Sequence, residues 1–123
     1  MRATLGTWEL WITINEKTVM KDPVLNPVHP GEILLKDFLE PLAISQSRLA
    51  KDVHVPLGRI KELVLERRGI SADTALRLAR YFNTTPQFWL NLQTKFDLDS
   101  ARLTEEKTIL RTIQPSSALA AVA

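Results

Sequence analysis

The spacing of hydrophobic residues changes near residue 28. Upstream of that point, hydrophobic side chains occupy every second position over one short stretch, at Trp8, Leu10, Ile12 and Ile14. This period of two predicts a strand over residues 7–14. Downstream, hydrophobic residues recur at every third or fourth position, which is typical of amphipathic helices. The sequence therefore predicts an all-α domain over residues 29–103, preceded by an extension, residues 1–28, that carries the strand and a proline-containing linker.

Five helices are predicted in this domain from the residues that suit helix starts, namely Pro30, Ser45, Pro56, Ser71 and Thr85. Proline is tolerated in a first turn because its missing N–H has no partner there, and serine or threonine side chains accept hydrogen bonds from the free amides. Pro41 is predicted to end the first helix, and Asn83 to end the fourth in a left-handed conformation. A shorter sixth helix is predicted from Thr104, so residues 104–123 are expected to form a C-terminal helix and a flexible tail.

The second and third helices have the spacing of a helix-turn-helix, in which the second of two short helices enters the major groove of DNA. Ala50 supplies the small residue where the two helices cross, and Ile60 and Leu63 supply the inward side of the second helix. His54 stands in the turn, where glycine is common, and histidine is one of the residues that tolerate left-handed geometry. An ordinary helical bundle shows the same spacing, so the pattern alone leaves both interpretations open.

Charge favours the DNA-binding interpretation. Residues 45–80 carry eight basic and four acidic residues, although the whole chain has a net charge of only +2. Small residues at the start of the third helix let its amides approach phosphate, and the charged residues that follow can reach base edges or the backbone. The residues predicted to contact DNA are Gln46, Ser47, Pro56, Gly58, Arg59, Lys61, Glu62, Arg67 and Arg68.

The residues that enzymes and metal sites commonly use are scarce. The chain has no cysteine and only two histidines, His29 and His54, for which we expect a capping or packing role and a turn role. No serine stands in a pattern that supplies a histidine–carboxylate pair. We therefore expect no disulfide, metal site, cofactor or catalytic residue. No hydrophobic run approaches the roughly 18 residues that a membrane helix needs, so a soluble, cytoplasmic protein without a membrane partner is expected.

Several short motifs give the sequence a more specific character. They are His29-Pro30-Gly31-Glu32, Leu39-Glu40-Pro41-Leu42, Leu49-Ala50, Arg59-Ile60, Gly69-Ile70, Asp73-Thr74-Ala75-Leu76-Arg77-Leu78-Ala79 and Pro86-x-Phe88-Trp89-Leu90-x-Leu92-Gln93. With these motifs, about 70 of the 123 residues resemble the HigA (VapI-like) family of antitoxins, within the lambda-repressor-like, XRE-type helix-turn-helix group. Residues 1–28 lie outside the resemblance, and Met20 stands where many members of the family begin.

The resemblance implies a DNA-binding antitoxin that dimerises, represses its own operon and neutralises a HigB-type, RelE-like toxin that cleaves mRNA. The fifth and sixth helices are the expected dimer contact, because the third must stay free for DNA. Four hydrophobic residues are candidates either for the core or for that dimer face: Phe88, Trp89, Leu92 and Phe96. Arg77 and Arg80 are expected to be solvated or paired, with phosphate contact as the alternative.

Two other functions stay open at the level of the sequence. One is an orphan or phage-type transcriptional regulator that has no toxin partner. The other is a protein-interaction module whose helix-turn-helix no longer binds DNA. The predicted strand at residues 7–14 also has three interpretations, which are edge pairing with a partner's sheet, packing within the protein's own dimer, and a mobile or locally paired extension.

Overall fold

The computed structural model describes residues 26–119, and within this range every regular element is a helix. The first helix, α1, consists of three consecutive segments, which are α-helical Pro30–Ile33, π-helical Leu34–Leu39 and α-helical Glu40–Leu42. The four that follow are α2 (Gln46–Val53), α3 (Leu57–Val64), α4 (Ala72–Phe82) and α5 (Pro86–Thr112). The predicted all-α fold is therefore confirmed, while the predicted strand at residues 7–14 lies outside the described residues.

Side-chain caps begin the helices where the sequence predicts them. The hydroxyl oxygens of Ser45, Ser71 and Thr85 accept hydrogen bonds from the amides three residues further on, at 3.0, 3.3 and 3.1 Å. Left-handed residues end three of the helices: Ala43 (φ 56°) follows α1, His54 (φ 60°) follows α2 and Asn83 (φ 55°) follows α4. These caps satisfy backbone groups that a helix end would otherwise leave without partners.

His29 caps α1 from a buried position. Its Nδ1 accepts a hydrogen bond from the Gly31 amide at 2.9 Å, and its ring meets the edge of Phe96 with ring centres 4.7 Å apart. Burial lowers the pKa of His29, although Glu66 and Asp97 act in the opposite direction. A lowered pKa keeps the imidazole neutral, which leaves Nδ1 free to accept the hydrogen bond. The capping and packing role expected for this residue is confirmed.

The first helix does not stop at Pro41 but continues to Leu42. In the π-helical segment the Glu40 amide donates to the carbonyl of Leu35, five residues earlier, so the turn is wider than in an α-helix. Pro41 then lies in the first turn of the next α-helical segment, where a missing N–H costs little. Ala43, in the left-handed conformation (φ 56°), ends the helix.

The predicted start of a separate sixth helix at Thr104 is wrong, because α5 is one continuous helix of 27 residues. No glycine or proline lies between Pro86 and the last residue of the helix, Thr112. The Thr104 hydroxyl donates back to the carbonyls of Ser100 and Ala101, both at 3.4 Å, and so does not cap a new helix. The helical state predicted for this stretch is correct, but it continues the fifth helix.

The hydrophobic core collects side chains from all five helices. Its largest fully buried side chain is that of Trp89, which has no exposed surface and whose indole N–H donates to the Thr84 hydroxyl at 2.8 Å. The other buried hydrophobic residues are Ile33, Leu34, Leu39, Leu49, Ala50, Val53, Val55, Ile60, Leu63, Ile70, Ala75, Leu78, Ala79 and Leu92. Within this arrangement α3 packs on α2 and on the start of α1, which leaves the outer side of α3 exposed.

Two of the four residues considered for a dimer face cannot serve there. Trp89 is 0% exposed and Leu92 is 7% exposed, and both belong to the core of the single chain. A buried side chain has no surface to offer a partner, so for these two the core interpretation is correct. Phe88 and Phe96 are partly exposed, and for them a dimer contact stays a prediction.

Candidate nucleic-acid interface

The helix-turn-helix consists of α2, a short turn and α3. α2 ends at Val53, and His54 (φ 60°, ψ 46°) reverses the direction of the chain. The Val55 amide donates back to the carbonyl of Ala50 at 3.0 Å, and α3 begins two residues later. Ala50, Ile60 and Leu63 are buried as the spacing predicts. The turn role expected for His54 is therefore confirmed.

The residues predicted to contact DNA lie on the open side of this motif. Eight of the nine are exposed and Gln46 is partly exposed. At Gly58, a methyl group built in place of the hydrogen would meet nothing within 4 Å, so the start of α3 is free of cover. An uncovered helix start allows a phosphate or a base edge to approach the backbone closely. The structure therefore presents these residues in a way that fits DNA.

Two of the predicted contacts are paired with each other. Arg68 Nε lies 3.0 Å from Glu62 Oε1, and both side chains are 49% exposed. Nothing in the sequence pattern signals this pair, since Glu62 lies within α3 and Arg68 lies in the loop after it, where helical spacing no longer applies. An exposed ion pair of this kind contributes about 1 kcal/mol at most, so a phosphate can compete for the arginine. Arg59, Lys61 and Arg67 form no ion pair with any residue of the range 26–119.

The basic loop after α3 is held in place by α5. Gln93 Oε1 accepts a hydrogen bond from the Ile70 amide at 2.7 Å, and Gln93 Nε2 donates to Asp97 at 2.9 Å. The side-chain amide of Gln93 also packs against Gly69, where an added methyl group would lie 2.8 Å from Gln93 Oε1. Gln93 therefore fixes the end of the loop that carries Arg67 and Arg68. Gln93 is the final residue of the last motif named above, but no local pattern in the sequence signals its contact with Ile70.

A polar network on α2 is a second feature that the sequence did not reveal. Asp52 Oδ2 accepts hydrogen bonds from the Tyr81 hydroxyl at 2.6 Å and from Arg48 Nε at 2.8 Å. These two hydrogen bonds, that of Tyr81 first, hold the pKa of the Asp52 carboxyl below its usual range. Asp52 is therefore ionised at neutral pH and links α2 to α4.

Arg77 is also engaged within the chain. It pairs with Asp73 at 2.9 Å and donates to the Val53 carbonyl at 2.9 Å. Of the two roles considered for Arg77, pairing is the one that the structure shows in the absence of DNA.

Two properties of residues 26–119 bear on other functions. These residues contain no group of three or more histidine, cysteine, aspartate or glutamate side chains arranged to hold a metal ion. None of their helices is long and apolar enough to cross a membrane.

Comparison with known proteins decides the family. A helix-turn-helix family model matches residues 35–89. Virulence-associated protein I of Dichelobacter nodosus is 50% identical over 90 residues, which cover 73% of this chain and 82% of that protein. Antitoxin HigA-1 of Vibrio cholerae is 35% identical over 83 residues, which cover 68% of this chain and 78% of that protein. The chain belongs to the HigA family of antitoxins.

A solved structure supports the same conclusion for the fold. The antitoxin HigA of Pseudomonas aeruginosa, whose structure was determined with the higBA promoter, aligns with a TM-score of 0.71 and 46% sequence identity. The alignment covers 73% of this chain and 98% of that one. The HigA resemblance, the helix-turn-helix fold and the DNA-binding antitoxin class predicted from the sequence are thereby confirmed. The HigA family is a class of DNA-binding proteins and not a class of enzymes.

Proposed function

We propose that this HigA family member binds the promoter of its own operon as a homodimer and neutralises a HigB-like toxin. The observation that carries the DNA-binding part is the group of exposed basic side chains on and after α3 that lack an acidic partner in the described range, Arg59, Lys61 and Arg67. They lie on or directly after a helix-turn-helix, and the structure of a similar protein, the antitoxin HigA of Pseudomonas aeruginosa, was determined with promoter DNA. In this proposal the protein acts by binding, not by catalysis, and it acts in the cytoplasm, where its DNA target lies.

The predicted contacts divide into two groups. Gln46, Ser47, Arg67 and Arg68 flank α3 and are proposed to position the protein on phosphates, which fixes its register without reading sequence. The other group consists of Pro56, Gly58, Arg59, Lys61 and Glu62, at or near the bases. Arginine and lysine suit guanine edges, and glutamate accepts from the amino group of cytosine. When Arg68 moves to a phosphate, Glu62 loses its partner and becomes free to accept the hydrogen bond from the amino group of cytosine.

The second half of α5 is the surface that best suits the homodimer. All residues from 101 to 112 are exposed, and several of them are large and hydrophobic. Leu103 and Leu110 are seven residues apart and so lie on the same side of the helix. Ile109 directly precedes Leu110, and the exposed Ile113 directly follows the end of the helix. A hydrophobic stripe of this kind can be covered by the same stripe of a second chain. This proposal moves the dimer contact along α5, away from the buried Trp89 and Leu92.

A two-fold dimer makes a prediction about the operator. Two recognition helices related by a two-fold axis reach successive major grooves about 34 Å apart on one side of the duplex. We therefore expect a palindromic operator with half-sites about one helical turn apart.

The experiment that tests the DNA-binding proposal is fluorescence anisotropy with the DNA immediately upstream of the gene and with a scrambled duplex of the same composition. Each duplex is titrated at two salt concentrations. Much tighter binding to the upstream DNA, weakening as salt rises, supports sequence-specific repression. Equal and weak binding to both duplexes contradicts it.

The toxin part is tested separately, by co-expression with the product of the adjacent gene. A tagged antitoxin that retains this product through purification, and that restores growth to cells expressing the product alone, supports neutralisation. Failure of both, with operator binding intact, indicates a transcriptional regulator without a toxin partner.

Lys61→Ala is expected to weaken operator binding by about 1–3 kcal/mol if Lys61 contacts a base. The loss should then be larger on the operator than on scrambled DNA. Lys36→Ala is the matched control, because Lys36 is also an exposed lysine but lies on α1, outside the helix-turn-helix. Equal losses on both duplexes, with a shallower salt dependence, would assign Lys61 to a phosphate; no loss would remove it from the interface.

Leu110→Asp is expected to convert the dimer into a monomer without unfolding the domain, because Leu110 is 71% exposed in the single chain. Sedimentation velocity measures the mass, and circular dichroism checks the helix content. Thr108→Asp is the control, since it adds the same charge to the same part of α5 on nearly the opposite side. A dimer that persists in Leu110→Asp would exclude this surface.

A further inference from the structure

We propose that Arg77 is a positioning residue that fixes the turn between α2 and α3, and so sets how the recognition helix α3 meets DNA. This inference deepens the proposed DNA-binding function and rests on it. Arg77 lies on α4, outside the helix-turn-helix itself, and it is not one of the residues predicted to contact DNA.

The contacts of Arg77 converge on the end of α2. Its Nη1 donates to the carbonyl oxygen of Val53 at 2.9 Å and to that of His54 at 3.3 Å. The chain changes direction there, because His54 is left-handed and the His54 and Val55 amides bond back to Lys51 and Ala50. The carbonyls of Val53 and His54 lie beyond these bonds and carry the negative end of the helix dipole. A guanidinium at this position satisfies both carbonyls and opposes that charge.

The guanidinium is itself held in place. Arg77 Nε donates to Asp73 Oδ2 at 2.9 Å, one turn earlier on α4. With Nε and Nη1 both used inside the chain, only Nη2 is left for any other contact. A bidentate hydrogen bond from the guanidinium to a phosphate would require breaking the Asp73 contact or the carbonyl contacts. This geometry favours a structural role for Arg77 over a direct phosphate contact.

Tyr81 provides a second link between the same two helices. It lies one turn after Arg77 on α4, and its hydroxyl donates to Asp52 Oδ2 at 2.6 Å. Asp52 and Val53 are the last two residues of α2, and α3 begins only four residues after Val53. The two links therefore hold the end of α2 against α4 immediately before α3 begins.

A positioning residue and a phosphate contact predict different effects on binding. Loss of a phosphate contact weakens binding to every duplex and lowers the salt slope by about 1. A loosened turn disturbs the alignment of α3 with the bases, so it weakens operator binding while binding to scrambled DNA and the salt slope stay unchanged.

The test compares Arg77→Met with Arg80→Met. Methionine keeps much of the aliphatic length but removes the donors, and Arg80 is an exposed arginine on the same helix. Anisotropy is measured on operator and scrambled duplexes over a salt series. For Arg77→Met we expect an operator affinity reduced by about tenfold or more, unchanged binding to scrambled DNA and an unchanged salt slope. Arg80→Met should leave operator discrimination as in the unaltered chain.

Hydrogen exchange on the DNA-free protein provides a second readout. The His54 and Val55 amides should exchange faster in Arg77→Met than in the unaltered chain, because their bonds to Lys51 and Ala50 form in the turn that Arg77 holds. If Arg77→Met does not fold, Tyr81→Phe removes only the hydroxyl and should show the same pattern with a smaller loss.

Equal losses on both duplexes with a shallower salt slope would overturn the proposal in favour of a phosphate contact. Unchanged operator binding and unchanged exchange in Arg77→Met would also overturn it. Failure of the proposed function is distinguishable, because the unaltered chain would then bind operator and scrambled DNA equally. In that case the exchange rates still decide whether Arg77 holds the turn.

Discussion

Trp89→Ala is expected to destabilise the domain by about 3–5 kcal/mol, the cost typical of removing a buried tryptophan side chain. Trp89 has no exposed surface, and the rings of Phe38 and Phe88 each lie 5.0 Å from its ring centre. The substitution leaves a cavity among these rings and removes the partner of the Thr84 hydroxyl. Denaturant unfolding, followed by circular dichroism, measures the change in the free energy of unfolding.

The same variant separates the two interpretations considered for Trp89. If Trp89 is a core residue, its removal weakens the fold of the single chain, so the loss in the free energy of unfolding should be the same in the monomeric Leu110→Asp background. A residue of the dimer face would cost stability only where the dimer forms, and the loss would vary with protein concentration. Phe88→Ala is the matched control, because Phe88 is an adjacent aromatic residue that is only partly buried. A loss for Trp89→Ala no larger than that for Phe88→Ala would contradict the central role of Trp89.

Gly31→Ala is expected to destabilise the domain by about 1–3 kcal/mol, the range typical of overpacking in a tight contact. A methyl group at Gly31 would overlap the carbonyl oxygen of Leu63 and approach His29 Nδ1 to 3.1 Å. The first obstacle is backbone near the end of α3, which cannot rotate away as a flexible side chain can. Thermal and denaturant unfolding should both show the loss.

Gly58→Ala is the matched control for Gly31→Ala, and its effect on stability should have the opposite sign. A methyl group at Gly58 meets nothing within 4 Å, and alanine in a helix is favoured over glycine by about 0.5–1 kcal/mol. Gly58 lies at the proposed DNA surface, so the added methyl should stabilise the free protein and weaken operator binding. If the two glycines changed stability alike, close packing of α1 on α3 would not explain the role of Gly31.

Much of the fold follows from local signals in the sequence. The helix starts at Ser45, Ser71 and Thr85 are predictable because a capping side chain satisfies amides that lie within three residues of it. Ala50, Ile60 and Leu63 are predictable as buried because helical periodicity fixes which side of a helix faces inward. The exposed, charged side of α3 follows from the same periodicity.

The features that the sequence did not predict are of two kinds. Some depend on contacts between residues far apart in the sequence, and others on alternative local conformations of similar free energy. Thr104 suits a helix start and also fits within a helix, and the hydroxyl bonds to Ser100 and Ala101 decide between them. The link from Gln93 to the Ile70 amide joins residues 23 positions apart. The link from Arg77 to the Val53 carbonyl joins residues 24 positions apart. Neither pairing leaves a periodic signal in the sequence, so packing of the helices has to be known first.

The continuity of α5 has a consequence for local stability. At 27 residues the helix is about 40 Å long, but none of its side chains from residue 101 to residue 112 is buried. Beyond the core it has only its own hydrogen bonds and pairs such as Arg102 with Glu106, 3.7 Å apart, and isolated helices of about twelve residues are marginal in water. In a lone chain we therefore expect this half to fray from its free end. The buried half of α5 already supplies the helical turns from which the exposed half can extend. A partner that covers the exposed half therefore needs to order it only by extension, without the cost of starting a new helix.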